Sequence, residues 1–107
     1  STYTRVDEKL RAIYETSRAI AKKRECMVWA VSQASYEAHN RQEIDFAMLE
    51  NSRTGKAAEA DIIIGIGKNF GDEEDYIRHL CVSKNKLTGW HGLVTCRIDI
   101  QKARYIP

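Results

Sequence analysis

The chain has no long apolar run. Its longest uncharged apolar stretch, residues 62–66, falls far short of the roughly 20 residues a membrane-spanning helix needs, and no signal peptide is visible. It has no surplus of either charge: 17 Lys and Arg against 15 Asp and Glu leave +2, so any basic binding site must be local. Cysteine is sparse. Cys26, Cys81 and Cys96 show no CxxC or CxxH spacing, which argues against zinc and against a disulfide framework. All three lie in apolar, strand-like runs and read as reduced, buried small side chains of a cytosolic protein. There are no repeats and no low-complexity tracts. At 107 residues the chain is one domain at most, with enough apolar content for a modest core.

The usual catalytic signatures are also missing. Thr54-Gly55-Lys56 resembles the end of a Walker A loop, but Ala57 replaces the required Ser or Thr and Glu50 stands where the first glycine belongs. Gly65-Ile66-Gly67-Lys68-Asn69-Phe70-Gly71 follows a strand-like run as a dinucleotide loop would. Its last glycine comes one residue late, and acidic residues follow in place of a helix. Neither is a nucleotide cradle. No Ser-His-Asp or Cys-His arrangement has supporting context, and His39 has no Cys or second His at ligand spacing.

What is present reads as alternating helix and strand. Thr4 is a suitable N-cap, with Asp7 and Glu8 placed for the first turn. Val6, Leu10, Ile13, Ser17, Ile20 and Ala21 recur at steps of three and four, predicting an amphipathic helix of about five turns with Arg18 on a wet side. Lys22, Lys23 and Arg24 suit its negative end. Residues 26–31 are continuously apolar and predict a strand covered on both faces, ending at Ser32-Gln33. Parallel strands face ligands at their carboxyl ends. Gln33 is therefore placed either to sense a ligand or to hydrogen-bond the following loop.

Residues 36–53 turn polar and contain neither proline nor glycine, so they are no simple linker. Ile44, Met48 and Leu49 offer one apolar face for a short helix. A second short helix is expected to lead through residues 52–61 into another buried strand, 62–66. An acidic turn then precedes an antiparallel hairpin of strands 76–82 and 93–100, the latter alternating Val94, Cys96, Ile98 and Ile100 with polar residues. Tyr105-Ile106 predicts a last short strand. The order indicates an α/β sheet with an antiparallel edge.

Between the hairpin strands lies Lys84-Asn85-Lys86-Leu87-Thr88-Gly89. Residues two apart on a strand share a face, so Lys84 and Lys86 project side by side. Either they are edge-protecting lysines on a solvated tip, or they answer a polyanion such as a nucleotide phosphate or nucleic acid.

In this order, the long helix, the strand ending in Ser32-Gln33, Arg53-Thr54-Gly55-Lys56-Ala57-Ala58-Glu59-Ala60-Asp61 and the Lys-x-Lys-x-Thr-Gly tail suggest a family. The chain resembles the C-terminal half of the RecA-like ATPase core of hexameric replicative DNA helicases, the DnaB-like family and its phage counterparts. The resemblance covers nearly the whole chain. It implies an α/β fold, a partial RecA-like P-loop NTPase core with parallel strands and an antiparallel C-terminal hairpin. Residues 1–107 would be a single unit, the part of the motor domain that follows Walker A and Walker B.

The resemblance also implies roles. Gln33 would sense the γ-phosphate, and Lys84 and Lys86 would reach the nucleotide of a neighbouring subunit. Arg41, Arg53, Gly55 and Lys56 would face single-stranded DNA in a central channel. Lys86 stands where the family places an arginine finger, which keeps the charge but loses the planar fork. ATP and Mg would belong to the full-length parent, a homo-oligomeric ring in the bacterial or phage-infected cytoplasm. The isolated chain would bind neither, would hydrolyse nothing, and would expose a sheet edge open to dimerisation. Two other readings share the same residues: a RecA-like recombinase or repair ATPase, and a non-enzymatic module that binds nucleic acid or assembles. A third would make the domain purely structural.

Overall fold

A computed structural model describes residues 2–45, 48, 59–69, 71 and 76–107, with side chains outside 2–5 and 7. The N-terminal helix α1 runs Thr2–Arg24. It starts two residues before the expected cap, which moves Asp7 and Glu8 beyond the first turn, and that turn holds no acidic residue. The basic triplet ends it as anticipated. Glu25 then turns left-handed at φ 52°, and the Cys26 N–H reaches back to the Ala21 carbonyl at 3.1 Å. This six-to-one bond is the Schellman stop, made here without the usual glycine.

The buried stripe of α1 differs from the one drawn by counting apolar residues. Val6, Ile13 and Ile20 are exposed, whereas Leu10, Tyr14, Ser17, Arg18 and Ala21 are partly covered. The covered set recurs at steps of four and three and so is one face of the helix. Polar members belong to it because Tyr14 and Arg18 carry apolar stems with polar ends. Arg18 thus departs from the wet side its spacing predicts and is turned toward the sheet.

Residues 26–31 form no strand. Met27 and Trp29 are each 80% exposed and Val31 98%. A continuously apolar strand is stable only with sheet partners and covering layers, and no described segment supplies them. Cys26, expected to be buried, is exposed with it, while Cys81 is partly covered and Cys96 buried. A short 3₁₀ turn, Tyr36–Ala38, follows, with the Tyr36 and His39 rings stacked at 5.8 Å. The chain returns as Ser35 N–H bonds the Met48 carbonyl at 2.6 Å. Ile44 is buried in a non-helical stretch, unlike the expected helix face. Residue 49, residues 52–58 of the second expected helix and the acidic tip at 72–75 lie outside the described residues; Glu59 is helical.

The described strands make one antiparallel sheet in the order β1-β2-β3-β4, with β1 Ile62–Gly67, β2 Ile77–Asn85, β3 Gly92–Asp99 and β4 Arg104–Ile106. The hairpin and the short last strand are as expected. The parallel strands are not among those described: β1 runs antiparallel to β2. Nor is β1 covered on both faces. Ile62, Ile64 and Ile66 are exposed, while Ile63, Gly65 and Gly67 face inward. Those two glycines seat the chain that crosses them, because a Cβ at Gly65 would collide with the Ile44 carbonyl and one at Gly67 with the Arg41 carbonyl. On β3 the expected alternation holds at Cys96 and Ile98 and fails at Val94, which is exposed; Ile100 lies past the strand and is 62% exposed. His79 is buried, opposite Thr95, and its Nδ1 lies 3.0 Å from the Thr95 hydroxyl.

A candidate polyphosphate site at the start of β1

Lys84 owes its direction to an irregularity in the ladder. His79 and Cys81 stand opposite Gly67 and Gly65, on the inner face. Regular alternation would put residue 83, not 84, on that face next. The register shifts between Ile63 and Ile64, and Lys84 falls opposite Ile63. A bulge of this kind re-aims a side chain, and here it turns Lys84 to the side on which the 41–44 segment and α1 lie. Lys86 follows beyond the strand, its N–H bonded to the Asp61 carbonyl at 2.9 Å.

The turn beyond is built by Asn85. Its Oδ1 accepts the N–H groups of Leu87 (3.1 Å) and Thr88 (3.2 Å), and its Nδ2 donates to the Thr88 hydroxyl at 2.8 Å. An asparagine that bonds backbone two residues on makes an Asx turn, so the loop carrying Lys86 is fixed from within. Asn85 is absent from the site residues expected from sequence, although Asn ahead of Thr-Gly is a legible turn signal.

Arg18 is the other residue that sequence reasoning missed. Its Nη1 donates to Asp61 Oδ1 at 3.0 Å and to the Glu59 carbonyl at 2.9 Å. The signal was there in part: Arg18 lies four residues from Tyr14 and eight from Leu10, hence on the same helix face.

The electrostatics follow this geometry. The Arg18 hydrogen bond holds the Asp61 carboxyl below its ordinary 3.8; burial opposes this, and the charges of Arg18, Lys86 and Lys84 add to it. Lys84 is pushed below its ordinary 10.5 by burial first and by Lys86 second, with Asp61 acting the other way. Lys84 and Lys86 therefore feel one another and share an acidic neighbour. The edge-protection reading does not survive, because β2 lies between β1 and β3 rather than at an edge.

The remaining expected residues lie elsewhere. Gln33 is exposed and just precedes Ala34 and Ser35, which line a depression of about 320 Å³ together with Ile66, Gly67 and Lys68. Arg41 lines a neighbouring depression with Asn40, Gln42, Glu43 and Asn69, across which Asn69 Nδ2 donates to Gln42 Oε1 at 2.8 Å. Both lie at the carboxyl end of β1; the lysines lie at its amino end. Four strand steps, from Ile63 to Gly67, separate the two ends, roughly 13 Å at about 3.3 Å per residue. No described contact joins Gln33 or Arg41 to Lys84 or Lys86. Arg53, Gly55 and Lys56 lie outside the described residues. Among the described residues, no three His, Cys, Asp or Glu side chains are grouped to hold a metal ion, and no helix is long and apolar enough to cross a membrane.

No family model matches the chain, and no curated protein matches it. Among solved structures it is similar to the ATPase domain of a DnaB-like helicase, with a TM-score of 0.75 and 21% identity over 91% of this chain and 36% of that one. At that identity the likeness is one of fold. The chain thus has the fold of part of an ATPase domain and spans little more than a third of that relative's length.

Proposed function

We propose that this chain is the nucleotide-sensing and DNA-channel part of the motor domain of an ATP-dependent replicative DNA helicase, and that it is catalytically silent alone. The observation that carries the reading is the separation of its polar sites along β1. Gln33 lies beside one end of the strand, while Lys84 and Lys86 lie at the other. One phosphate group is not within reach of both ends, so the two sites serve different nucleotides. A ring of identical subunits meets that condition, with Gln33 facing the subunit's own ATP and the lysines facing the neighbour's.

The fold shared with part of a helicase ATPase domain supports a motor role. Arg41, Arg53, Gly55 and Lys56 would supply the cations along single-stranded DNA. The described residues do not fit a magnesium site, and no step is routed through one; what this chain provides toward ATP is positive charge. Lys84 and Lys86 neutralise charge that develops on the phosphoryl oxygens in transfer, a contribution that is large when the cation comes from a neighbour. With lysine at 86 the contact is a point charge rather than a bidentate fork.

The test is DNA-stimulated ATP hydrolysis by the full-length parent. Lys84→Ala and Lys86→Ala are each expected to lower kcat by at least about a hundredfold while nucleotide still binds, and Lys86→Arg is expected to retain activity. If Lys86→Ala and Lys86→Arg both left hydrolysis unchanged, Lys86 would have no such role. Metal-dependent hydrolysis by the isolated 107-residue chain would overturn the claim that it is silent.

A further inference from the structure

Lys84 and Lys86 are not the only cations at the amino end of β1. Arg18 arrives from α1, 43 residues away in the chain, and its guanidinium lies 3.0 Å from Asp61 Oδ1. Lys86 is tied by its own backbone to Asp61, and the bulge brings Lys84 opposite Ile63, two residues beyond Asp61. Three cations from two elements therefore converge on one carboxylate. Capping Arg18 alone would need no lysine nearby, and closing the β2 turn is already done by Asn85. With Glu59 also present, the acidic side chains cancel most of the cluster's charge. A guanidinium that binds a carboxylate oxygen presents the same donors a phosphate oxygen accepts.

Resting on the reading that the lysines serve a nucleotide's phosphates, we infer that Arg18, Lys84 and Lys86 form one polyphosphate site and that Asp61 is its internal competitor. Asp61 occupies the Arg18 donors and lowers the local positive potential until a phosphate group displaces it. Arg18 then turns from its carboxylate to the incoming oxygens, which couples the position of α1 to occupancy of the site. Asp61 is 53% exposed on its side chain, so a soluble anion reaches it without local unfolding.

The experiment is calorimetric titration of inorganic tripolyphosphate into the 107-residue chain at low ionic strength, where surface charge is least screened. Asp61→Asn keeps an oxygen for Arg18 and removes the charge; it is expected to tighten binding about tenfold, the scale for removing one nearby like charge from a multivalent anion's site. Adding Arg18→Gln is expected to abolish that gain, and Lys84→Gln with Lys86→Gln to weaken binding in either background. Thermal melts establish that each variant is folded, and Asp61→Ser serves if Asn does not fold. Unchanged or weaker binding by a folded Asp61 variant, with the lysine variant still impaired, overturns the competitor and leaves the lysine site standing. Binding by the double lysine variant equal to wild type overturns the underlying reading. Absence of binding by both the wild type and the Asp61 variants overturns the site as a whole.

Discussion

Asp61 and Arg18 show how little a contact between distant residues needs to contribute to stability in order to matter. Their side chains are 53% and 28% exposed, so solvent screens the pair and its worth to folding is below about 1 kcal/mol. The sign of its pH dependence is still definite. Asp61 titrates below 3.8 in the folded chain, chiefly through its Arg18 hydrogen bond, so between the two values the unfolded chain binds more protons. The pair's contribution is complete above the ordinary carboxylate range and is lost as pH falls through the lowered value. Asp61→Asn is therefore expected to melt slightly below wild type at neutral pH, with the gap closing below pH 3.8, as thermal denaturation followed by circular dichroism will show. Lys84 runs the opposite way. Its charged form is disfavoured on folding, so that cost is present at neutral pH and is relieved as pH rises toward 10.5.

At the scale of elements, the inner face of β1 depends on the absence of side chains. Ile44, 7% exposed, is one of the two buried apolar residues among those described, and it is seated by Gly65. Gly65→Ala would put a methyl where the Ile44 carbonyl lies. Backbone does not give way as a flexible side chain does, so a loss of about 1–3 kcal/mol is expected, read from the urea midpoint. An unchanged midpoint would mean that the 41–44 segment is not seated there. The hairpin was legible beforehand because period-two alternation from Leu93 and the Thr-Gly turn are local signals. The bulge that aims Lys84 was not legible, because it arises between strands: nothing near residue 84 states that residue 82 pairs with Ile64 and residue 84 with Ile63. Sequence reasoning thus found both lysines but neither the face they share nor Arg18, whose place is set by contacts 41 and 43 residues away.

For the whole molecule, the failure to find a buried strand at residues 26–31 is the more informative result. Its pattern is that of a strand covered on both faces, yet Met27, Trp29 and Val31 are exposed, as are the outer isoleucines of β1. The radius of gyration is 15.4 Å, against about 13 Å for a compact domain of this length. Sequence pattern and structure agree once these surfaces are taken as made to be covered, in keeping with a chain that matches 36% of the length of its structural relative. β1 is an edge strand of the described sheet, nearly uniform in composition and β-branched, which is the kind of edge that pairs with another copy. β4, at the far edge, is only three residues long and offers little to pair with. The isolated chain is therefore expected to sediment as a dimer or larger at tens of micromolar, a range set by the modest area one strand offers. Ile64→Lys, which places a charge on the outer face of β1, is expected to shift it toward monomer, whereas Lys102→Glu, in the turn after β3, should leave association unchanged. A monomeric wild type at that concentration would show that the apolar face of residues 26–31 and β1 is tolerated in water, and the case for a missing covering element would fall with it.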